Sequence, residues 1–323
     1  MIVKDLHEWI IAACSNGAVP VITGKNGDMD TVGSAIALSS SRPELIACGL
    51  HLGKLAKRLC NDLNAPFKII SSDQVWPEKL GGIIVVDAAA ESQIGLNLPK
   101  EIPICVIDHH ATSEWVFREN DLEVRDNSRS TTQIIFQYLK NFSSHSLTTE
   151  VRKLLLAGLI TDTGRFMHAD EDSLLCANQL IDGGGFEYQE FVEYLQNEEI
   201  SRSDRGAIIK ALNRCKSQDI GDWVLIQTSA GILEGKVASL ILQTGGDLSL
   251  VSRFRNGETR LTARAKRAST IQGIHLGKMM QELSDQIGGE GGGHDGAAGW
   301  SGNIDLITAE SAFINILART KRN

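Results

Sequence analysis

The sequence predicts a two-domain α/β protein, with a parallel-sheet N-terminal domain and a smaller α/β C-terminal domain. Three observations carry that expectation. In the first half, short apolar runs alternate with helical patterns, as in a parallel sheet covered by helices. The runs at 82–86 and 104–107 are continuously apolar rather than alternating, which suits strands buried on both faces. A length of 323 residues also exceeds one ordinary core, at roughly 100–200 residues per domain.

In chain order, residues 5–15 form a helix candidate with Leu6, Ile10 and Ala13 on one side and Gly17 as a stop. A strand at 19–23, a polar loop at 24–30 and a small-residue helix at 31–39 follow. Strands at 45–48 and 67–70 flank a helix at 53–63, and the strands at 82–86 and 104–107 complete the sheet. The pattern then turns helical at 131–140, 149–159, 172–181 and 188–195, with apolar positions at a 3.6 period. The charged stretch 198–204 and a helix at 205–214 mark a linker, giving domains at 1–197 and 216–323 around a linker region at 198–215. Beyond it, a strand at 223–227 and a helix at 233–242 precede a hairpin of 249–254 and 260–265 around Asn256-Gly257, a strong turn signal. A helix at 274–287, a glycine-rich loop at 288–294, a strand at 304–306 and a helix at 309–317 close the chain.

Composition narrows the function classes. Hydrophobic residues are 42% and charged residues 22%, and no apolar run approaches the roughly 20 residues of a bilayer span. The opening residues are amphipathic and acidic, unlike a signal peptide, so a cytoplasmic location and no membrane partner are expected. Cys14, Cys48, Cys60, Cys105, Cys176 and Cys215 are scattered without a Cys-x-x-Cys pair, which reads as buried thiols rather than disulfides or a zinc site. A net charge of −8 argues against sequence-independent duplex binding, which needs a basic face. It does not exclude an anionic substrate, because a bound metal can reverse the sign of one cleft.

Ligands of open parallel sheets gather beyond the carboxyl ends of the strands. Here those positions carry Asp28 and Asp30, then Asp87, then Asp108-His109-His110, with Asp162 following an apolar helix. Alone, Asp28 and Asp30 read as a turn residue and a helix cap, Asp87 and Asp108 as strand ends, the His pair as interface residues and Asp162 as a turn. Together, so many carboxylates on one edge would repel one another strongly without a cation. Oxygen-rich ligation with one or two imidazoles favours Mn²⁺, with Mg²⁺ as the alternative, as one or two ions. The chemistry this suggests is phosphoester hydrolysis.

The stretches Asn26-Gly-Asp-Met-Asp-Thr-Val-Gly-Ser34, Val85-Val-Asp-Ala-Ala89, Ile107-Asp-His-His110, Ser130-Thr-Thr132, Gly158-Leu-Ile-Thr-Asp-Thr-Gly164 and Gly291-Gly-Gly-His-Asp-Gly-Ala-Ala-Gly299 together resemble the DHH phosphoesterases with a DHH-associated C-terminal domain, a group that includes RecJ-like exonucleases, nano-RNases and pAp phosphatases. The resemblance spans essentially the whole chain. It implies one metal held by Asp28 and Asp87 and another by Asp30, Asp87, His109 and Asp162. It also implies that His110 faces the scissile phosphate and that Asp108 orients the His pair. Arg165, Ser130 and Thr131 are weaker candidates for holding or shaping the substrate pocket. One departure stands out: where the family's first motif opens with a metal-binding His, four positions before the first Asp, this chain has Gly24 with Lys25 beside it. The first metal is then left with two protein ligands.

Gly291, Gly292 and Gly293 would let a backbone approach an anion, with His294 at the rim. The preceding hairpin carries Arg253, Arg255, Arg260, Arg264, Lys266 and Arg267, of which Arg264 is the first choice to meet a nucleotide. The domains would then enclose a cleft, with metals on one wall and binding groups on the other. The expected activity is a Mn²⁺-dependent exonuclease releasing mononucleotides from short or single-stranded RNA or DNA. The alternatives are a catalytically weakened nucleic-acid-binding or scaffold protein in a replication or repair complex, and a nucleoside-bisphosphate phosphatase. A homodimer or a replication or repair protein is the macromolecular partner to test for.

Overall fold

The structure is a computed structural model that describes residues 2–73, 75–197 and 200–323. It divides into two compact units, Met1–Asn197 and Glu198–Asn323. The first contains α1 (Ile2–Asn16), β1 (Val19–Thr23), α2 (Met29–Ser39), β2 (Leu45–Gly49), α3 (Lys54–Asp62), β3 (Lys68–Ile69), β4 (Ile83–Val86), β5 (Ile104–Asp108), β6 (Leu122–Arg125), α4 (Thr131–Phe142), α5 (Thr149–Asp162), α6 (Glu171–Ile181) and α7 (Tyr188–Gln196). Its six strands form a parallel sheet in the order β3-β2-β1-β4-β5-β6.

That order reverses direction between β1 and β4. Crossovers obey a right-handed rule, so connections running opposite ways along a sheet lie on opposite faces. Accordingly the helices share one core with Val19, Val21, Ile84 and Ile107. The other face, with Ile22, Ile83, Val85 and Val106, is covered by the long connections that carry Trp76, Ile94, Leu96 and Trp115. The expectation of strands buried on both faces is met, but on one face by connecting segments instead of helices. The reversal leaves a crevice beyond the carboxyl ends of β1 and β4, where doubly wound sheets bind ligands.

The second unit contains α8 (Arg202–Leu212), β7 (Lys216–Ile220), β8 (Trp223–Ser229), α9 (Glu234–Leu242), β9 (Leu248–Arg255), β10 (Glu258–Ala265), α10 (Arg267–Ile271), α11 (Leu276–Ile287), β11 (Glu290–His294), β12 (Ala297–Gly302) and α12 (Leu306–Arg319). Its mixed sheet runs β11-β12-β10-β9-β8-β7, with β8 and β9 parallel and the other neighbours antiparallel. α11 and α12 bury Leu250, Leu261, Ala263 and Trp300 on one face. α8 and α9 cover Ile226 and Val251 on the other. Asn256 and Gly257 have φ of 53° and 83°, the paired left-handed residues of the tight hairpin the sequence announces.

Two expectations in this unit are corrected. The glycine run is not a loop: residues 290–294 are an edge strand paired to β12, with Gly292 opposite Gly299 and His294 opposite Ala297. Glycine is required there by close packing, because a Cβ on Gly291 would fall 2.2 Å from the Met280 carbonyl oxygen of α11. The strand expected at 304–306 is the approach to a helix instead, with Asp305 capping α12 through the Thr308 N–H at 3.0 Å.

Candidate active site

The carboxylates arrive at the crevice from separate elements. Asp28 is the N-cap of α2 and accepts the Thr31 N–H at 3.1 Å, while its second oxygen accepts the Asn26 amide at 2.5 Å. Asp30, in the first turn of α2, is 2% exposed. It accepts the Thr131 N–H at 2.6 Å and the Thr132 N–H at 2.9 Å, so the amino end of α4 holds it from behind. Asp87 follows β4 with a left-handed φ of 58°, a strained setting for a non-glycine residue and one that clusters at functional sites. The Thr131 hydroxyl donates to Asp87 at 3.3 Å.

These groups converge on His109. Its Nδ1 faces the Ser128 carbonyl at 3.3 Å, which directs Nε2 toward Asp162 at 3.4 Å, Asp87 at 3.5 Å and Asp30 at 3.9 Å. Asp108 is 1% exposed, and its Oδ1 accepts both the His109 N–H at 2.9 Å and His110 Nδ1 at 2.6 Å. The second Asp108 oxygen is buried without a hydrogen bond among the described residues. His110 is half exposed, and its Nε2 makes no hydrogen bond among the described residues.

The electrostatics reflect crowding of like charges. Burial, then the charges of Asp87 and Asp162, push the Asp30 carboxyl well above the ordinary carboxylate range. Desolvation takes Asp162 up to about 6, His109 opposing and Asp87 adding to the rise. Burial works against a charge on His109, yet its bond to Asp87 and the charges of Asp30 and Asp162 raise it to about 9. The bond to Asp108 likewise raises His110. Burial alone would raise Asp108, but the bond from His110 holds it below the ordinary value.

The donor set fits a divalent cation. Asp30, His109 and Asp162 each offer a ligand atom within 4.8 Å of the others, and so do Asp87, His109 and His110. Oxygen donors with imidazole suit a hard or borderline ion. Asp28 lies outside both groups. At Gly24 the backbone N–H donates to the Thr31 hydroxyl at 2.9 Å, and that hydroxyl donates to the Val86 carbonyl at 3.0 Å, tying the end of β1 to the end of β4.

Of the other sequence-selected residues, Ser130 and Thr131 are fully buried, so they sit behind the site rather than on a substrate surface. Arg165 is exposed, with a left-handed φ of 60°. In the second unit, strand pairing puts Arg264, Ala297 and His294 in one row across β10, β12 and β11. Thr262, Gly299 and Gly292 form the next row on the same face, opposite the one packed by α11. A Cβ on Gly292 would meet nothing within 4 Å, so this patch of small residues beside Arg264 and His294 leaves backbone accessible. Sequence reasoning missed the supporting roles of Thr31 and Thr132. Only the capping position of Asp28 three residues before Thr31 carried a local signal for either of them.

The comparisons with known proteins agree with this architecture. Residues 18–159 match the DHH family N-terminal domain and residues 220–319 match the DHHA1 domain. The chain belongs to the DHH phosphoesterase superfamily. It is 26% identical over 298 residues to an uncharacterized protein of Methanocaldococcus jannaschii, a match covering 90% of this chain and 88% of that one. It is 29% identical over 184 residues to the bifunctional oligoribonuclease and PAP phosphatase NrnA of Thermus thermophilus, covering 56% of this chain and 54% of the relative. The chain thus matches about half the length of that enzyme. Among solved structures, an exopolyphosphatase-related protein from Bacteroides fragilis has a TM-score of 0.74 at 15% identity, covering 98% of this chain and 95% of that one. At that identity the likeness is one of fold.

Proposed function

We propose that the protein is a Mn²⁺-dependent phosphodiesterase that releases mononucleotides from short or single-stranded RNA or DNA. The observation that carries this reading is the convergence of Asp30, Asp87 and Asp162 on His109 Nε2, with the free edge of His110 beside them. Asp30, Asp87, His109 and Asp162 would hold the cation, which when bound supplies charge for the phosphate and lowers the pKa of a bound water. His110 contributes an imidazole whose Nδ1 is engaged by Asp108, so its Nε2–H is oriented to donate to a phosphate oxygen or a departing alkoxide. Asp108 keeps that imidazole oriented and favours its charged form. In the second unit, Arg264 and His294 beside Gly292 and Gly299 would hold phosphate or base. The named activity of the Thermus thermophilus relative supports a short-oligonucleotide or nucleoside-bisphosphate substrate.

The test is hydrolysis of labelled oligoribonucleotides and oligodeoxyribonucleotides in Mn²⁺ by wild type, Asp87→Ala and His109→Ala. Loss of activity of at least about 100-fold in both variants is expected if these side chains hold the metal. Undiminished activity in either would sink the site. Binding of oligonucleotides without turnover in the wild type would favour the second reading, a nucleic-acid-binding member weakened by Gly24.

A further inference from the structure

Beside the metal-site residues lies a cavity of about 590 Å³ whose walls include His109, Asp162, Asn127, Ser128, Arg129 and His168. Two of its residues, Arg129 and His168, have no part in the site as described so far, and each is delivered there by a separate device.

Arg129 is fixed at both ends. Its backbone N–H donates to Gln133 Oε1 at 2.9 Å, and its Nε donates to Asp170 at 2.9 Å. Ser173 closes the ring, donating from its hydroxyl to Asp170 at 2.6 Å and to Gln133 at 3.4 Å. The two terminal Nη groups make no hydrogen bond among the described residues. The guanidinium is thus positioned with its planar fork unspent, the arrangement suited to two-point recognition of a phosphate. The same loop supplies the Ser128 carbonyl that orients His109, so the fork is placed relative to the metal site by one short segment.

His168 arrives by a backbone reversal. Gly164, Arg165 and Phe166 have consecutive left-handed φ values of 58°, 60° and 64°, one residue beyond Asp162. Such a run is costly for non-glycine residues and persists where the surroundings enforce it. It is held by the Arg165 N–H on the Ile160 carbonyl at 2.7 Å and the Phe166 N–H on the Thr163 hydroxyl at 3.1 Å. Its result is that His168 lines the same cavity as Asp162, with no hydrogen bond from its ring among the described residues.

We infer that Arg129 and His168 form a subsite for a second phosphate of the substrate, a phosphomonoester on the nucleotide being released rather than the group that is hydrolysed. The inference rests on the phosphoesterase reading of the neighbouring Asp and His residues and deepens it. Arg129 contributes the fork, His168 a further donor, and Asn127 and Ser128 polar atoms along the wall. A terminal phosphate of an oligonucleotide and the extra phosphate of a nucleoside bisphosphate share this chemistry.

The experiment is calorimetric binding to the full chain in CaCl₂, so that no outcome depends on turnover. Four ligands are compared: the dinucleotide ApA with and without a 5′-phosphate, adenosine 3′,5′-bisphosphate, and adenosine 3′-monophosphate, so that the members of each pair differ only in the 5′-phosphate. The phosphorylated member of each pair should bind at least about tenfold tighter, or 1.4 kcal/mol. Whether the preference is larger in the first pair or the second identifies the source of the phosphate. Arg129→Gln should remove the preference while leaving ApA and adenosine 3′-monophosphate unchanged, and Arg129→Lys, which keeps charge without the fork, should restore part of it. A preference below tenfold in both pairs, or an equal loss for both members of a pair in Arg129→Gln, overturns the inference. If the preference and its loss are found but no substrate is hydrolysed in Mn²⁺, the phosphodiesterase reading fails while the subsite stands.

Discussion

Gly158→Ala is the most discriminating single substitution for how the site is held. Gly158 lies in α5 where that helix crosses α2, and a Cβ there would fall 2.6 Å from Thr132 Cγ2, 3.1 Å from Asp30 Cα and 3.1 Å from the Met29 carbonyl oxygen. Ordinary carbon contacts sit at about 3.5–4.0 Å, so the helices must separate by roughly half an ångström to one ångström. Overpacking of this kind costs about 1–3 kcal/mol, and replacing glycine in a helix returns about 1 kcal/mol. The net loss is then at most about 2 kcal/mol, a fall in melting temperature of no more than about 8 °C. Activity should suffer far more, because Asp30 is fixed to α4 by two hydrogen bonds from backbone N–H groups and moves when α2 does. Misplacement by an ångström at a reacting centre costs on the order of 100-fold. The assay is kcat/KM for Mn²⁺-dependent dinucleotide hydrolysis, read beside a thermal melt. Gly206→Ala in α8 is the control, since a Cβ there meets nothing within 4 Å. It should gain up to about 1 kcal/mol and keep full activity. Gly158→Ala with activity within threefold of wild type would refute the claim that the α2–α5 contact positions Asp30.

His109, raised to about 9 in the metal-free chain, carries a proton at neutral pH that a cation must displace. Calorimetry of Mn²⁺ binding in buffers of different ionisation heat should register release of about one proton at pH 7, and buffer-independent heats would contradict this. Because the folded value lies above the unfolded one, His109 stabilises the metal-free fold fully below about pH 6.5 and progressively less as pH rises through about 9. Chemical denaturation from pH 6 to 9.5 should therefore show metal-free stability falling, with Asp162→Asn flattening the slope. For Gly24→His, the new Cβ would stand 3.1 Å from Asn26 Oδ1 and 3.3 Å from the Asp87 carbonyl oxygen, close but adjustable on the Asn26 side. Supplying that imidazole should raise bound Mn²⁺ toward two per chain by elemental analysis, and an unchanged ratio would show that Gly24 does not limit occupancy.

Much of the fold and the cluster was legible because both rest on local pattern. Each acid follows an apolar run that can only be a buried strand or helix, so their common edge follows from the sheet. What supports them was not legible, because it depends on pairing across the chain. The amides that hold Asp30 belong to Thr131 and Thr132, more than a hundred residues away, and nothing near either stretch announces the contact. β7 went unseen because its Lys-Ser-Gln-Asp-Ile sequence is that of a polar edge strand, which has little apolar alternation to read. The glycine run misled for the converse reason. Glycine has low strand propensity, and the strand is imposed from outside by β12 on one side and by α11 across its face. Its glycines separate into two uses: Gly291 and Gly293 make room for neighbouring backbone, whereas Gly292 leaves an open patch.

The same distinction between pattern and support orders the metal-site residues themselves. Asp30 is clamped by two backbone amides, His109 is aimed by the Ser128 carbonyl, and Asp87 is fixed by the Thr131 hydroxyl and its left-handed backbone. Asp162 has no such clamp: its carboxylate makes no hydrogen bond among the described residues beyond its approach to His109, and its side chain is 34% exposed. Its carboxyl is also raised by burial, to about 6. Three of the proposed ligands are therefore organised by the fold itself, while the fourth would be organised by a bound ion. Asp162 also opens onto the cavity shared with Arg129 and His168. The side of the site that faces the cavity is thus the adjustable one, and the side that faces the protein is the rigid template.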